Sequence, residues 1–266
     1  MRIPSAPASK PEATVRKIYR RLSRNWGPQH WWPAETPFEV IVGAILTQNT
    51  SWTNVERALE KLRQANCLSV AGIRALPLAE LEQLVRSSGY YRQKAARLMI
   101  FVDFLDKKYG GSLEKMFAAP TEQLREDLLS LKGIGHETAD AILLYGGKHP
   151  VFVVDAYARR ILGRHGLLHG ADKYDQVRSL VEKALRAEVP PTTQRSNRKN
   201  AAPSAMVIHK ASAMSQLQGS RLSQVYNEMH GLFVQLGKHY CHKLDPNCRS
   251  CPLGDVLPIT IENRTA

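Results

Sequence analysis

An all-α fold is what this sequence predicts, on three observations. Apolar residues recur at three- and four-residue spacing in one segment after another, glycine and proline fall between those segments, and the alternation of a half-buried strand is nowhere sustained. The first helix is read over 13–24, where Val15, Ile18, Tyr19 and Leu22 share a face. Pro37, pre-set for a first helical turn, opens the apolar stretch 38–46. The same period continues through Val55, Leu59 and Leu62, then Leu78, Leu81 and Val85, then Leu98, Phe101, Val102 and Leu105. Gly89, Gly110, Gly111 and Pro120 sit between these segments, where turns need a permissive or fixed φ. Leu124, Leu128, Leu129 and Leu131 end a further helix, and 136–145 begins another. Residues 189–224 hold Pro190, Pro191 and Pro203 with Arg195, Arg198, Lys199, Lys210 and Arg221 and no acidic residue, and read as a mobile basic insertion. A helix resumes over 225–239, with Met229, Leu232, Phe233 and Leu236 on one face, and the residues after Pro258 read as a tail.

Composition narrows the partners. At 266 residues, with 43% hydrophobic and 23% charged side chains, the chain can bury one large core or two modest lobes. Its formal charge of +13 attracts polyanions through a long-range, salt-sensitive field, which makes nucleic acid the leading partner. The longest apolar runs, 41–46 and 151–154, are far too short to span a bilayer, so no membrane partner is expected. The first ten residues are polar and carry no apolar core of a secretory signal, which points to the cytoplasm. Three of the four cysteines crowd together as Cys241, Cys248 and Cys251, which in such a compartment suggests metal ligation or nothing.

The chemistry concentrates in the middle of the chain. Lys132-Gly133-Ile134-Gly135 joins two helices; glycines let a backbone approach a ligand closely, and the N–H groups opening the next helix face outward as an anion site suited to a DNA phosphate. An isolated turn of this kind more often reads as an ordinary helix–helix connection with glycine as C-cap. Asp155 stands before the helical stretch 156–162, where an aspartate is a good N-cap. It is also a carboxylate able to stabilise positive charge on a sugar.

Taken together, the run 131–140, then Val151-Phe152-Val153-Val154-Asp155, then 156–160, resembles the hairpin-plus-aspartate signature of the endonuclease III, or helix-hairpin-helix, superfamily of DNA glycosylases. The resemblance extends from about Trp31 to Pro252. It implies a two-lobed all-α protein with DNA in the cleft between lobes and the target base flipped out. The lobe carrying the hairpin would be 35–150, the second 1–34 with 151–266, and the basic insertion 189–224. Asp155 would be the catalytic carboxylate; Gly133, Ile134, Gly135 and Thr138 would grip DNA; and Gln48 would wedge into the space left by the flipped nucleotide.

In bifunctional members a lysine stands two residues after the second hairpin glycine and forms a Schiff base. Glu137 occupies that position here, which implies a monofunctional enzyme that leaves an abasic site, with Glu137 either a pocket acid or a favourable first-turn acid. The segments Trp31-Trp32-Pro33, 46–52 ending in Trp52, 86–95 and 135–143 look like the bacterial 3-methyladenine DNA glycosylase branch, in which the aromatics sandwich the base and Lys238 matches a position near the pocket. An alkylated purine, a cationic ring with a weakened bond to sugar, suits such walls. Gly43 stands where adenine-mismatch enzymes carry an acid, which disfavours that specificity; oxidised or mismatched pyrimidine remains an alternative, as does a non-catalytic DNA-binding module. Cys241, Cys248 and Cys251 match three ligands of the superfamily's 4Fe-4S loop, but Leu257 stands where the fourth belongs, which suggests a relic without a stable cluster; zinc would need His239 or His242 as well. A monomer associated with the nucleoid, acting on double-stranded DNA with a damaged base, is the expectation.

Overall fold

The computed structural model describes residues 10–189 and 211–257, and among them the chain is helical with no strand. The helices in chain order are α1 (Pro11–Trp26), α2 (Pro37–Leu46), α3 (Trp52–Gln64), α4 (Val70–Ala75), α5 (Leu78–Leu84), α6 (Tyr91–Tyr109), α7 (Leu113–Phe117), α8 (Thr121–Leu129), α9 (His136–Ala141), α10 (Ala156–Arg164), α11 (Tyr174–Arg186), α12 (Ala213–Gln216) and α13 (Arg221–His239). Short 3₁₀ turns cover Arg86–Ser88 and Gly254–Val256, and a π turn over Ile142–Gly146 prolongs α9. No helix among the described residues is long and apolar enough to cross a membrane. The chain divides into two compact units: one from 1–31, 152–210 and 224–266, the other from 32–151 and 211–223.

In the 32–151 unit, α2 is apolar on every side, and its residues from Phe38 to Leu46 are all buried, as expected of a helix wrapped by neighbours. It starts where it does because Thr36 accepts the Glu39 N–H at 3.1 Å and Pro37 occupies the first turn. Helices α3, α6 and α9 with its π turn pack around it. Glu39, buried at its first turn, is paired with Arg63 of α3 at 2.9 Å.

The expected insertion differs from what is observed. Residues 190–210 lie outside the described residues, but 211–223 packs on this same unit. Ser212 caps α12, and its hydroxyl donates to the Trp32 carbonyl at 3.0 Å and accepts the Ala34 N–H at 3.3 Å. Met214 is buried, and Lys148 donates to its carbonyl at 2.6 Å. These bonds also draw Trp32 to Ala34 into the hairpin-bearing unit instead of leaving them with residues 1–31. The late helix begins at Arg221 and not at 225, because Ser220 accepts the Ser223 N–H and so starts the turn earlier.

In the other unit α1 packs on α11, with Lys183–Glu12 and Arg20–Glu188 pairs at 3.0 and 2.8 Å along the seam. The extended, buried segment 152–154 is held by its backbone: the Phe152 N–H donates to Glu182 at 2.9 Å and the Val154 N–H to the Tyr174 hydroxyl at 3.1 Å. The Phe152 ring lies edge-on to Tyr226 and Phe233 of α13, centroids 6.2 and 6.3 Å away. Asp155 is thereby delivered from a fixed strut to the first turn of α10.

Candidate functional site

The hairpin is α8, the turn 130–135 and α9. Its two helices are clamped by Arg125, whose guanidinium donates to both oxygens of Asp140 at 2.6 and 3.3 Å and lies 3.1 Å from His136 Nδ1. Arg125 and Asp140 are both buried, so this forked pair fixes the turn with little solvent screening. Sequence reasoning gave these two residues no role; spacing alone does not show that they face each other.

The four residues assigned to DNA divide into different roles. Gly133 has φ +89, and a Cβ there would stand 2.2 Å from Arg97 Nε, so glycine is required by the fold itself. Gly135 has φ −95, open to any residue, and a Cβ there meets nothing within 4 Å on an exposed face. Of the two glycines, only Gly133 takes a left-handed φ. Ile134 is buried and plugs the hairpin, and its N–H donates to the Leu131 carbonyl at 3.0 Å, closing the turn. Thr138 is buried too, and its hydroxyl accepts Gln48 Nε2 at 2.8 Å. That same amide donates to the Gly133 carbonyl at 3.0 Å, and the Gln48 carbonyl accepts from Arg97. Gln48 thus ties the turn after α2 to the hairpin, while the next residue, Asn49, is exposed with φ +54. Glu137 is exposed in the first turn of α9.

Within the 32–151 unit the two tryptophans are not parallel. Trp32 is buried and stacks on Tyr145 of the π turn, centroids 4.9 Å apart and planes 25° apart. Trp52, half-buried, meets Trp32 edge-on at 5.0 Å and 86° and donates to Glu56 at 2.9 Å. Gly43 of α2 faces this pair, since a Cβ there would lie 3.4 Å from Trp32 and 3.5 Å from Trp52. A base held between two rings needs them parallel at about twice the stacking distance. Within this unit, then, Trp32 and Trp52 meet edge to face, with Trp52 the more exposed of the two and Trp32 and Tyr145 behind it. Pro33 is half-buried beside them in sequence. Trp31 is buried in the other unit.

There, Asp155 caps α10: its Oδ1 accepts the Ala158 N–H at 2.7 Å. The capping and chemical readings of this residue are compatible, because its Oδ2 lies 3.5 Å from His230 Nε2 of α13. Burial, and then the charge of Asp155, push the Tyr157 hydroxyl above its ordinary range. His230 is buried between the Trp31 ring at 5.9 Å and the Phe152 ring at 6.4 Å. Sequence reasoning missed it, although a histidine between Met229 and Leu232 on an apolar face was the available signal. Lys238 is exposed in the last turn of α13, about 12 Å along the axis from His230.

The cysteine loop carries a different set of contacts from a cluster's. Arg164 donates to Cys241 Sγ at 3.1 Å and to the carbonyls of His242 and Lys243 at 2.6 and 3.0 Å, while Arg160 donates to the Cys241 carbonyl at 2.7 Å. Cys241, Cys248 and Cys251 line a cavity of about 20 Å³ with His165, Leu236, Leu253 and Leu257. That space suits one water-sized molecule. Burial pushes the Cys251 thiol up to about 11 and raises Cys248 as well, so both carry protons near neutral pH. His239 and His242 are exposed. Three thiols, a leucine at the fourth position and a guanidinium on the innermost sulfur do not fit a four-iron cluster, which takes four thiolates.

Comparison with known proteins identifies the family. Residues 42–187 match the family described as HhH-GPD superfamily base excision DNA repair protein. A Methanocaldococcus jannaschii protein whose name assigns it provisionally to the DNA repair glycosylases is 37% identical over 243 residues, which is 90% of this chain and 93% of that one. Endonuclease III of Thermotoga maritima is 27% identical over 90% of this chain and 88% of its own. The crystal structure of Helicobacter pylori 3-methyladenine DNA glycosylase bound to 1,N6-ethenoadenine superposes with a TM-score of 0.66 at 30% identity, covering 86% of this chain and 97% of that one. The chain belongs to the HhH-GPD superfamily of base excision DNA repair proteins and is a DNA N-glycosylase.

Proposed function

We propose that this glycosylase is monofunctional and excises an alkylated purine such as 3-methyladenine, leaving an abasic site. The observation that carries the reading is Glu137, a carboxylate at the hairpin position where a Schiff-base lysine would stand, in a chain that retains Asp155. Asp155 stabilises the positive charge that builds on the sugar as the N-glycosidic bond lengthens. The bonding pair leaves with the base, which in a methylated purine is already cationic and departs neutral. Water then bonds to C1′ and releases its proton. No strong general acid is needed at the base, and no imine forms. Glu137 acts beside the hairpin as an acceptor for the base or water. Support for the lesion class comes from the half-buried Trp52 platform, an electron-rich face for a cationic ring, and from the H. pylori relative, which is a 3-methyladenine DNA glycosylase. The turn at Gly133 and Gly135 holds a phosphate; because Gln48 is tied to the hairpin, exposed Asn49 beside it takes over the wedging role expected of Gln48; and Lys238 lies near the base pocket.

Wild type, Asp155→Asn and Glu137→Lys are incubated with duplexes carrying methylated purines, hypoxanthine, uracil or oxidised pyrimidines, with free base and strand breaks assayed separately. Wild type should release methylpurine without nicking, and Asp155→Asn should lose that release by about 100-fold or more. Preferred release of an oxidised pyrimidine, or a wild-type adduct trapped by borohydride, would instead favour an endonuclease III-like glycosylase/lyase. Binding without release from any duplex would favour a non-catalytic module.

A further inference from the structure

We infer that His230 is a positioning residue for excision, holding the free oxygen of Asp155 in register with Trp31. The inference rests on the reading of Asp155 as the catalytic carboxylate. Among the described residues, Asp155 accepts a hydrogen bond through one oxygen, Oδ1, from the Ala158 N–H at 2.7 Å. An aspartate χ2 is a broad, roughly two-fold torsion, so a carboxylate held at one corner can still swing the other. Facing that other corner, Oδ2, is His230 Nε2 at 3.5 Å. This is longer than an ordinary hydrogen bond, in the range that catalytic contacts show before substrate tightens them.

The imidazole is itself held from several directions. It is 3% exposed, with Phe152 on one side and Trp31 on another. The rest of the same helical turn grips the chain that carries Trp31. Asn227 donates to the Trp31 carbonyl, Glu228 accepts the Gln29 N–H on both oxygens at 2.9 and 3.2 Å, and Gly231 lets this segment close in, since a Cβ there would lie 2.9 Å from Gln29 Cβ and 3.1 Å from Trp31 Cβ. One stretch of α13 thus fixes Trp31 and presents an N–H-bearing ring to Asp155. The neighbouring positions Tyr226, Met229, Phe233 and Leu236 are buried and mostly apolar. A histidine among them costs desolvation that packing alone would avoid, and a polar duty toward Asp155 accounts for it.

The test compares His230→Phe, which keeps ring volume and removes the nitrogens, with His230→Gln, which keeps an N–H near the Nε2 position, and with Asp155→Asn. Single-turnover excision is measured on whichever of the lesion duplexes wild type cleaves fastest, alongside Kd for a duplex with an abasic-site analogue and the Tm of each variant. His230→Phe should excise about 10- to 100-fold more slowly with Kd within about threefold of wild type, the loss expected for a reacting group displaced by an ångström. His230→Gln should recover most of the rate. Wild-type excision by His230→Phe, while Asp155→Asn is inactive, overturns the inference and leaves the Asp155 reading standing. Equal losses in the Phe and Gln variants, or a loss confined to Kd, overturn it by reducing His230 to packing. Wild-type excision by Asp155→Asn sinks the underlying reading and the inference with it.

Discussion

Gly133 and Gly135 lie two residues apart in one turn and differ in backbone conformation and surroundings. Gly133 sits at φ +89 with Arg97 where a Cβ would go, so Gly133→Ala should lose roughly 1–3 kcal/mol of stability, read as a lower Tm, whatever ligand is present. Gly135 has an ordinary φ and empty space over it, so Gly135→Ala should change stability by no more than about 0.5 kcal/mol. The same substitution should weaken binding to undamaged duplex, because the added methyl stands where a phosphate would come closest. If Gly135→Ala binds duplex as wild type does, the phosphate is held elsewhere. A similar division separates Gln48 from Asn49. Gln48→Ala frees the hairpin from the turn after α2 and should lower Tm, whereas Asn49→Ala should leave Tm unchanged and slow excision from duplex more than from single-stranded DNA. The glycines were legible as the turn between two helices, a position glycine favours whether or not a phosphate is bound there. Their difference was not, since it depends on where Arg97, distant in sequence, lays its side chain.

Among elements, α13 shows what periodicity reveals and what it hides. Met229, Leu232, Phe233 and Leu236 marked its buried face in advance, and all are buried. Hidden were Asn227, Glu228 and His230, polar residues whose partners Trp31, Gln29 and Asp155 lie far away along the chain. Glu228 gives this helix a pH dependence. Burial pushes its carboxyl up to about 7, with the Gln29 N–H pulling the other way. An acid whose folded pKa lies above its unfolded value binds its proton more tightly when folded. Its contribution to stability is thus present below about 4.5 and lost as pH rises through about 7. Thermal unfolding followed between pH 5 and 8 should show Tm falling with pH by a few degrees more in wild type than in Glu228→Gln, which keeps an acceptor for Gln29 and cannot ionise. Parallel Tm profiles for the two proteins would mean that this carboxylate is stabilised as an anion. The insertion taught the opposite lesson: its proline and serine content concealed α12, because Ser212 and Met214 are ordered by Trp32, Ala34 and Lys148 and not by their own neighbours in sequence.

For the whole molecule, a formal charge of +13 announced a polyanionic partner without saying which cations meet it. Two groups stand out. On α1, Arg16, Lys17, Arg20, Arg21 and Arg24 line one surface depression and fall within an arc of roughly 140° at a helix's 100° per residue, opposite the buried Val15, Ile18 and Leu22. Arg20 and Arg21 are paired with Glu188 and Asp255, which leaves Arg16, Lys17 and Arg24 as the set to neutralise. The second group, Arg195, Arg198 and Lys199, lies outside the described residues and is defined by sequence alone. Each cation that displaces a counterion from duplex DNA contributes about 0.9 to the slope of log affinity against log salt, so replacing three contacting cations by glutamine lowers that slope by about 2.7. Measuring the slope for each triple variant on undamaged duplex assigns the charge. The Arg195/Arg198/Lys199 variant should lose most of that amount, because a stretch with three cations and no acid has no internal pairing to give up before it meets phosphate. An unchanged slope there would make the segment a spacer, and a loss in the α1 variant instead would move the non-specific footprint onto that helix. Excision of a bound lesion should be the same in both variants under single-turnover, low-salt conditions, since neither set includes Asp155 or a residue that contacts it.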